Sequence, residues 1–256
     1  MYKRQIVIGA GHNGLTNGAY LAKAGLRVAV LERNPYIGGA TLSRELHKGW
    51  YYSNCSYVSS LLRPEITRDL ELPRHGLQVV PFGGGATFMR NGDHFGTYAD
   101  HDRHYREIAR HSKRDANAYD RYAADTSLQT KLIRPYLMRT PPDPTSLKPR
   151  DLRDLMEFAQ SFMSLGEEKL LDTIKFWTAS VGDYLNEYFE TDVIKAHMAG
   201  SGIIGTALGV YSPGTAYVLL HHYMGDVDGN VGAWGFARGG MGAVSYTHLT
   251  LPTIRL

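Results

Sequence analysis

The segment Gln5–Thr41 constrains this chain most, because it combines a glycine-rich turn with flanking apolar runs. The apolar run Ile6–Ile8 is typical of a buried strand in a parallel sheet. Gly9–Gly14 follows at once with the spacing G-x-G-x-x-G, and the apolar residues after it recur at helical spacing. A second apolar run, Val28–Leu31, ends in Glu32. This order predicts a strand, helix and strand that bind a dinucleotide, with a glycine-rich surface turn as the alternative.

Each glycine of the first turn has a predicted task. We expect Gly9 to let the chain turn sharply, Gly11 to leave bare backbone for a pyrophosphate, and Gly14 to allow close packing of the helix. The helix N-terminus would present free N–H groups and a positive dipole end to the phosphates. Glu32 would accept hydrogen bonds from the adenosine ribose and repel a 2′-phosphate, which argues against NADP.

A second glycine pair helps to choose among the dinucleotides. The pair Glu32-Arg33 is followed closely by Gly38-Gly39, which resembles the FAD signature of glutathione-reductase-like flavoproteins, amine oxidases and carotenoid desaturases. In those proteins the glycine pair lies against the flavin diphosphate and the arginine lies near the adenosine. The resemblance therefore implies FAD, with an ordinary turn as the alternative. The residues predicted to contact the cofactor are Gly9, Gly11, His12, Asn13, Gly14, Glu32, Arg33, Gly38, Gly39, Ala40 and Thr41.

Composition excludes several other classes. A net charge of +3 over 256 residues does not indicate nucleic-acid binding. Apolar runs are too short to span a membrane, and no signal segment precedes the first strand, so a cytoplasmic protein is expected. The single cysteine, Cys55, excludes a Cys-pair redox centre within the chain, and we expect it to be a small buried packing residue, with a lone nucleophile as the alternative.

The region after Thr41 predicts short strands and loops. Ser43–Tyr52 predicts a pair of short strands, and Leu77–Phe82 predicts another strand. Gly83–Gly85 lacks the helix and the Lys-Ser/Thr of a phosphate loop, so it predicts a hinge or loop. Ala86–Tyr98 predicts a hairpin closed by a type I′ turn at Asn91-Gly92.

Beyond residue 100 the pattern is helical. Ser112 is a predicted N-cap, Pro135 should end or kink the helix that follows, and Ser212-Pro213 should begin another. A broad apolar face in the Asp151–Glu190 region predicts a helix packed on a sheet, or alternatively a lipophilic tunnel or a surface that touches a membrane. That face consists of Leu152, Leu155, Met156, Ala159, Phe162 and Met163.

No catalytic or metal-binding residue can be assigned from spacing. The histidines at 101, 104 and 111 match no zinc or iron ligand pattern, and neither does the His221-His222 pair. Solvated or structural histidines are therefore the preferred interpretation, and no metal is predicted. A nucleophile elbow is also missing from the sequence.

Further strings extend the resemblance over residues 4 to 244. Because of these strings, which are given at the end of this paragraph, the chain resembles the carotenoid (phytoene) desaturase-related FAD-dependent oxidoreductases. This implies an α/β, Rossmann-type FAD-binding domain, glutathione-reductase-like, with an inserted α+β substrate domain. Residues 1–75 would be the first FAD-binding segment, 76–225 the substrate domain and 226–244 the return toward the FAD domain. The strings are GAGHNGL, LER…GGA, CSYVSSLLRPEI, RDLELPRHGL, SPGTAYVLLHH and GAWGFARGGMGAV.

The last residues depart from that family. Ser245–Leu256 is rich in β-branched residues and carries Pro252, so we expect a poor helix there. We interpret residues 245–256 as a non-native tail and the chain as the N-terminal part of a longer protein truncated at its C-terminus. A divergent native terminus is the alternative.

The resemblance implies an FAD-dependent oxidoreductase of the desaturase or dehydrogenase type. Hydride would pass to flavin N5 from a lipophilic small molecule, with the reactive chemistry supplied by the cofactor. This N-terminal part of the protein could by itself be inactive. Peripheral membrane contact is compatible with the apolar helical face in the Asp151–Glu190 region. The alternatives are a non-catalytic dinucleotide-binding scaffold or regulator and, third, an NAD-dependent dehydrogenase. Substrate, electron acceptor and oligomeric state stay open.

Overall fold

The amino-terminal segment forms the expected strand, helix and strand in the computed structural model, which describes residues 4–53 and 55–249. Strands β1 (Arg4–Ile8) and β2 (Arg27–Leu31) pair in parallel, and helix α1 (His12–Lys23) connects them. Gly25, at φ +80°, ends the helix. Its N–H group and that of the next residue donate back into the last turn of α1, which is a Schellman cap.

The described part of the chain forms two units. The first contains the residues up to Phe82 and those from Gly225 onward, and the second contains Gly83–Met224. In the first unit the other elements are β3 (Ser43–His47), β4 (Trp50–Ser53), α2 (Pro64–Asp69), β5 (Val79–Pro81), β8 (Asp226–Val227), β9 (Asn230–Val231), β10 (Gly235–Ala237) and α10 (Gly242–Leu249). In the second they are β6 (Ala86–Phe88), β7 (His94–Gly96), α3 (His101–His111), α4 (Lys113–Ile133), α5 (Pro149–Met163), α6 (Glu167–Thr178), α7 (Val181–Asn186), α8 (Asp192–Ala199) and α9 (Thr215–Tyr223).

Strand β5 joins the two segments of the first unit. It pairs antiparallel with β10, and Phe82 N donates to Trp234 O at 3.1 Å. The first unit therefore extends to Phe82, whereas the family resemblance implied that the first FAD-binding segment ends at residue 75. The predicted strand Leu77–Phe82 is confirmed in its central part, Val79–Pro81.

The expected burial of the first strand is wrong. Side chains alternate between the faces of a strand, and α1 covers only one face of the β1–β2 pair. Val7 and Val30 pack on that covered face. On the other face, Ile6 is 66% exposed and Ile8 is 88% exposed. The pair therefore has one buried and one open side among the described residues.

Helix α4 of the second unit begins and ends where the sequence signals predicted. Ser112 Oγ accepts a hydrogen bond from Asp115 N at 3.1 Å, so the N-cap prediction for α4 is confirmed. Helix α4 ends at Ile133, two residues before Pro135, and a 3-10 turn follows. The core of the second unit is aromatic and aliphatic, and its fully buried members include Phe95, Ile108, Leu185, Ile194, Leu219 and Leu220.

Two predictions in this unit are wrong, one about a turn and one about the start of a helix. A type I′ turn needs positive φ at both central residues, but Asn91 is not among the described non-glycine residues with positive φ. Instead Gly92 N donates to Met89 O at 3.1 Å and Gly92 takes φ +85°, which is a type I turn with a glycine bulge. Helix α9 begins at Thr215 with Gly214 as N-cap at φ +81°, so Ser212-Pro213 lies before the helix.

The expectation of a poor helix after residue 244 is also wrong for the described residues. Helix α10 continues to Leu249. Val244 and Ser245 are buried in the first unit, and packing of this kind overrides weak helix propensity. Residues 250–256, the rest of the expected tail, lie outside the described residues.

Helix α5 does not pack on a sheet as expected. None of its residues is buried, and Met156 and Met163 are 60% and 69% exposed. Its stripe of apolar side chains at Leu152, Met156, Ala159 and Met163 therefore faces outward. Across the described residues, none of the helices combines the length and apolarity that crossing a bilayer requires.

Buried tyrosines should make the second unit sensitive to alkali. Burial raises the pKa of the Tyr119 phenol to about 12, and it raises the pKa of Tyr122 and Tyr223 as well. The stability these phenols contribute is complete below the ordinary tyrosine pKa near 10 and is lost as pH rises through the folded pKa values. We expect unfolding above about pH 10, measured by far-UV circular dichroism.

The variant Tyr119→Phe removes one of these ionisable phenols, so its alkaline midpoint should move to higher pH. Tyr211→Phe is the control, because Tyr211 is 67% exposed, and its midpoint should not move. A free energy of unfolding that stays constant between about pH 9 and 12 would contradict this account.

Candidate functional site

The first glycine turn leads the chain from β1 directly into α1. Gly9 takes φ +100°, a conformation that favours glycine, and its N–H group donates to Leu31 O at 2.7 Å. Gly11 is the N-cap of α1 and has no side chain with which to cap the first N–H groups. The N–H groups and positive dipole end of α1 are therefore available to an anion.

Gly14 has the packing role that the sequence predicted. A Cβ atom at this position would lie 2.0 Å from Gly9 O and 3.5 Å from Val7 Cγ1. Gly11 differs, since a Cβ atom there would meet only Gly39 Cα, at an ordinary contact distance of 3.8 Å. The chain thus needs glycine at position 14 for its own packing, whereas at position 11 a bare backbone leaves space for a ligand.

The second glycine pair packs against the first turn. Gly38 N donates to Ala10 O at 2.8 Å, and Gly38 forms a parallel bridge with Gly11. Gly39 takes φ +56°, and a Cβ atom on it would lie 3.1 Å from Gly11 Cα. Two glycine segments separated along the sequence therefore form one bare backbone surface.

Glu32 reaches into the same turn. Its Oε2 accepts a hydrogen bond from Ala10 N at 2.8 Å, and its Oε1 accepts from Asn34 N and Asn34 Nδ2, both at 2.9 Å. Hydrogen bonds from the backbone N–H groups of Asn34 and then Ala10 hold the pKa of this carboxyl below its usual range. The carboxylate therefore lies beside the glycine turn and is ionised at neutral pH.

Four other predicted residues surround this surface. His12 and Asn13 are exposed in the first turn of α1, Arg33 is exposed directly after Glu32, and Ala40 is exposed in the 3-10 turn Gly39–Thr41. Exposed side chains at these positions are accessible to a ligand. Their contact with a cofactor stays a prediction.

Thr41 is different because it is buried. Its hydroxyl donates to Gly38 O at 2.8 Å and lies 2.6 Å from Ser245 Oγ. Next to it, Ser43 Oγ accepts from Gly242 N at 3.0 Å, at the start of α10. Thr41 therefore supports the second glycine pair from behind, and the network ties that pair to α10.

Sequence reasoning missed Asn34, Ser43 and Ser245. An asparagine two residues after an acidic residue is a recognisable signal for a local side-chain hydrogen bond, so Asn34 could have been found. Ser245 carried no such signal, because it was assigned to the tail.

Cys55 lies outside this surface. It is exposed, so the expectation of a buried packing cysteine is wrong. It follows the β3–β4 hairpin, whose aromatic side chains are exposed as well. Within residues 4–53 and 55–249, no set of three or more His, Cys, Asp or Glu side chains gathers where a metal ion could bind.

Comparison with known proteins extends these observations. A family model described as an NAD(P)-binding Rossmann-like domain matches residues 7–69. Pyridine nucleotide-disulfide oxidoreductase domain-containing protein 2 of Mus musculus is 36% identical over 255 residues, covering 94% of this chain and 44% of that protein. One polypeptide of the limonene dehydrogenase of Castellaniella defragrans is 35% identical over 115 residues, covering 44% of this chain and 21% of that polypeptide.

The fold also occurs in solved structures. Wild-type putrescine oxidase bound to putrescine superposes with a TM-score of 0.54 at 19% identity, over 100% of this chain and 50% of the oxidase. The chain spans less than half the length of the curated relatives it matches along most of its sequence. The matched domain, the long alignment at 36% identity and the shared fold agree with the glycine turns and the acidic residue. The chain therefore contains a Rossmann-like dinucleotide-binding domain, and along most of its length it is similar to proteins named as oxidoreductases.

Proposed function

We propose that the whole protein is an FAD-dependent oxidoreductase and that residues up to Thr41 bind the adenosine diphosphate half of FAD. The observation that carries this proposal is the contact between the two glycine segments, with Gly38 N bonded to Ala10 O at 2.8 Å. A turn that bound only a nicotinamide dinucleotide would not need the second pair. The first glycine turn together with Glu32 supports a dinucleotide, and the pair Gly38-Gly39 supports FAD.

The residues of this surface fit an adenosine diphosphate group. The uncapped N–H groups of α1 and the bare backbone at Gly11 and Gly39 favour the diphosphate. Oε2 of Glu32 accepts only one of the hydrogen bonds from Ala10 and Asn34 and therefore retains acceptor capacity for a ribose hydroxyl, since a carboxylate has about four lone-pair sites, two on each oxygen. The flavin, when bound, would supply the two-electron redox chemistry, and these residues would bind and orient it.

The finer proposal is a desaturase-like or dehydrogenase-like reaction on a lipophilic substrate. One relative is named for the dehydrogenation of limonene, a hydrocarbon. In this chain, the outward-facing side chains of Leu152, Met156 and Met163 on α5 give the second unit an apolar surface. Such a surface suits a lipophilic substrate and also permits peripheral contact with a membrane, which co-sedimentation with lipid vesicles would test.

The visible spectrum of the purified protein tests the cofactor. We expect flavin absorbance bands in the full-length relative at close to one FAD per chain, and weaker flavin retention in this chain alone. A full-length relative that stays colourless but binds ADP would support a non-catalytic scaffold instead. Binding of NADH without any flavin would support a nicotinamide-dependent dehydrogenase.

The variant Glu32→Gln tests whether the carboxylate of Glu32 binds the adenosine ribose. The variant keeps the shape of the side chain but loses its charge and one acceptor oxygen. We expect about tenfold weaker binding of ADP-ribose and a smaller penalty for a 2′-phosphate, measured by calorimetry. Glu168→Gln, an exposed position on α6, is the matched control and should bind like the unmodified chain. Equal affinities for ADP-ribose in Glu32→Gln and the control would contradict the role of Glu32.

A further inference from the structure

Asn34 lies two residues after Glu32 and holds one end of its carboxylate. Asn34 N and Nδ2 both donate to Glu32 Oε1 at 2.9 Å, while Ala10 N donates to Oε2 at 2.8 Å. The two oxygens are thus held by different parts of the chain. We propose that Asn34 is a positioning residue that presents Glu32 Oε2 to the adenosine ribose. This inference rests on the proposed function and adds to it a residue outside the dinucleotide motif.

The physical reason is preorganisation. A glutamate side chain has several rotatable bonds and loses much rotamer freedom when it is fixed against a ligand. Here three hydrogen bonds fix the carboxylate of Glu32 before any ligand binds. The loss of rotamer freedom then belongs to folding, and binding of the ribose is favoured by that amount.

The direction of the carboxylate follows from which oxygen each donor uses. Both Asn34 donors occupy Oε1, so Oε2 is turned toward Ala10 in the glycine turn. Ala10 O in turn accepts from Gly38 N at 2.8 Å. Asn34, Glu32, Ala10 and Gly38 therefore form one chain of hydrogen bonds. Through this chain, Asn34 also steadies the surface where the two glycine segments meet.

The same donors favour the charged form of the carboxyl. The pKa of Glu32 is lowered first by the N–H group of Asn34, then by that of Ala10, and also by the Asn34 side chain. A carboxylate with a lowered pKa stays charged until the pH falls below the usual glutamate range. With the Asn34 amide removed, Glu32 should take up its proton at a higher pH, and the ribose should be released at that pH.

Two variants separate these effects. Asn34→Ala removes the Nδ2 donor and leaves the backbone N–H in place. Asn34→Asp keeps the size of the side chain but puts a second negative charge beside Oε1, which should turn the Glu32 carboxylate away. Asn17→Ala is the matched control, since Asn17 is an exposed asparagine on α1.

The measurements are ADP-ribose binding by calorimetry at several pH values and the titration of Glu32 by NMR in the nucleotide-free chain. We expect about fivefold weaker binding for Asn34→Ala, a larger loss for Asn34→Asp and no change for Asn17→Ala. In Asn34→Ala, Glu32 should also titrate at a higher pH, and binding should fall off at that same higher pH. A purely structural role for Asn34 would weaken binding equally at every pH.

The outcomes distinguish this inference from the proposed function. If the unmodified chain binds ADP-ribose and Asn34→Ala binds it equally well at every pH, Asn34 does not position Glu32. An unchanged Glu32 titration in both Asn34 variants overturns the inference as well, and this readout needs no ligand. If the unmodified chain and a full-length relative both fail to bind ADP-ribose, the proposed function fails, while the titration still decides whether Asn34 holds the carboxylate.

Discussion

Gly14→Ala is expected to unfold the glycine turn and abolish dinucleotide binding. The added Cβ atom would lie 2.0 Å from Gly9 O, and the obstacle is a backbone atom that cannot rotate away. The carbonyl belongs to a residue whose own N–H is bonded to Leu31 O, so a shift would also disturb β1 and β2. We expect a loss of roughly 3 kcal/mol or more in the free energy of unfolding of the first unit, measured by urea denaturation.

Two other glycine variants make this prediction specific. Gly200→Ala has no neighbour within 4 Å of the new Cβ atom, so stability should change little. Gly11→Ala has only an ordinary contact at 3.8 Å, so the chain should fold normally yet bind ADP-ribose poorly. Normal stability of Gly14→Ala would refute the packing argument. Unimpaired ADP-ribose binding by a folded Gly11→Ala would show that no diphosphate approaches that backbone.

Asp115→Ala is expected to destabilise the second unit strongly. Asp115 is completely buried, and its carboxylate accepts hydrogen bonds from Glu190 N at 2.8 Å, Thr191 N at 3.0 Å and Thr191 Oγ1 at 2.6 Å. Alanine would leave these donors without their acceptor at the start of α8. Because each unsatisfied buried group is costly, we expect a loss of about 4 kcal/mol, measured by denaturation followed by far-UV circular dichroism.

Asp192→Ala is the matched control. This aspartate follows Thr191 directly, but its side chain is 99% exposed and forms an ion pair with the side chain of Lys195. Exposed ion pairs contribute little, so we expect less than about 1 kcal/mol. Similar losses in the two variants would contradict the role assigned to Asp115. Asp115→Asn should fall between them, since the amide keeps one acceptor oxygen but turns an NH₂ group toward the donors.

Much of the site was predictable because its signals are local. The strand, turn and helix around Gly9 and Gly14 depend on residue spacing and on backbone preferences that neighbouring residues set. The N-cap at Ser112 and the end of α4 before Pro135 are local for the same reason. Where two local solutions compete, the prediction failed: both turn types suit Asn91-Gly92, and the structure has the type I turn with Gly92 at φ +85°.

Burial was not predictable in the same way. Ile6 and Met156 belong to apolar patterns typical of buried faces, yet both are more than half exposed. An apolar pattern shows which face of an element can be buried, but not whether another element covers it. Helix α10 follows the same rule, since Ser245 is buried against Thr41, which lies 204 residues earlier in the sequence.

The β-α-β order, the glycine spacing and the acidic residue after the second strand are all readable from the order of the residues. The folded chain adds that Ala10 N donates to Glu32, that Gly38 bridges Gly11, and that Asn34 and Thr41 support this arrangement. The reason is that local preferences fix backbone conformation over a few residues. Contacts between residues far apart in the sequence form only when folding offsets the entropy of closing the loops between them.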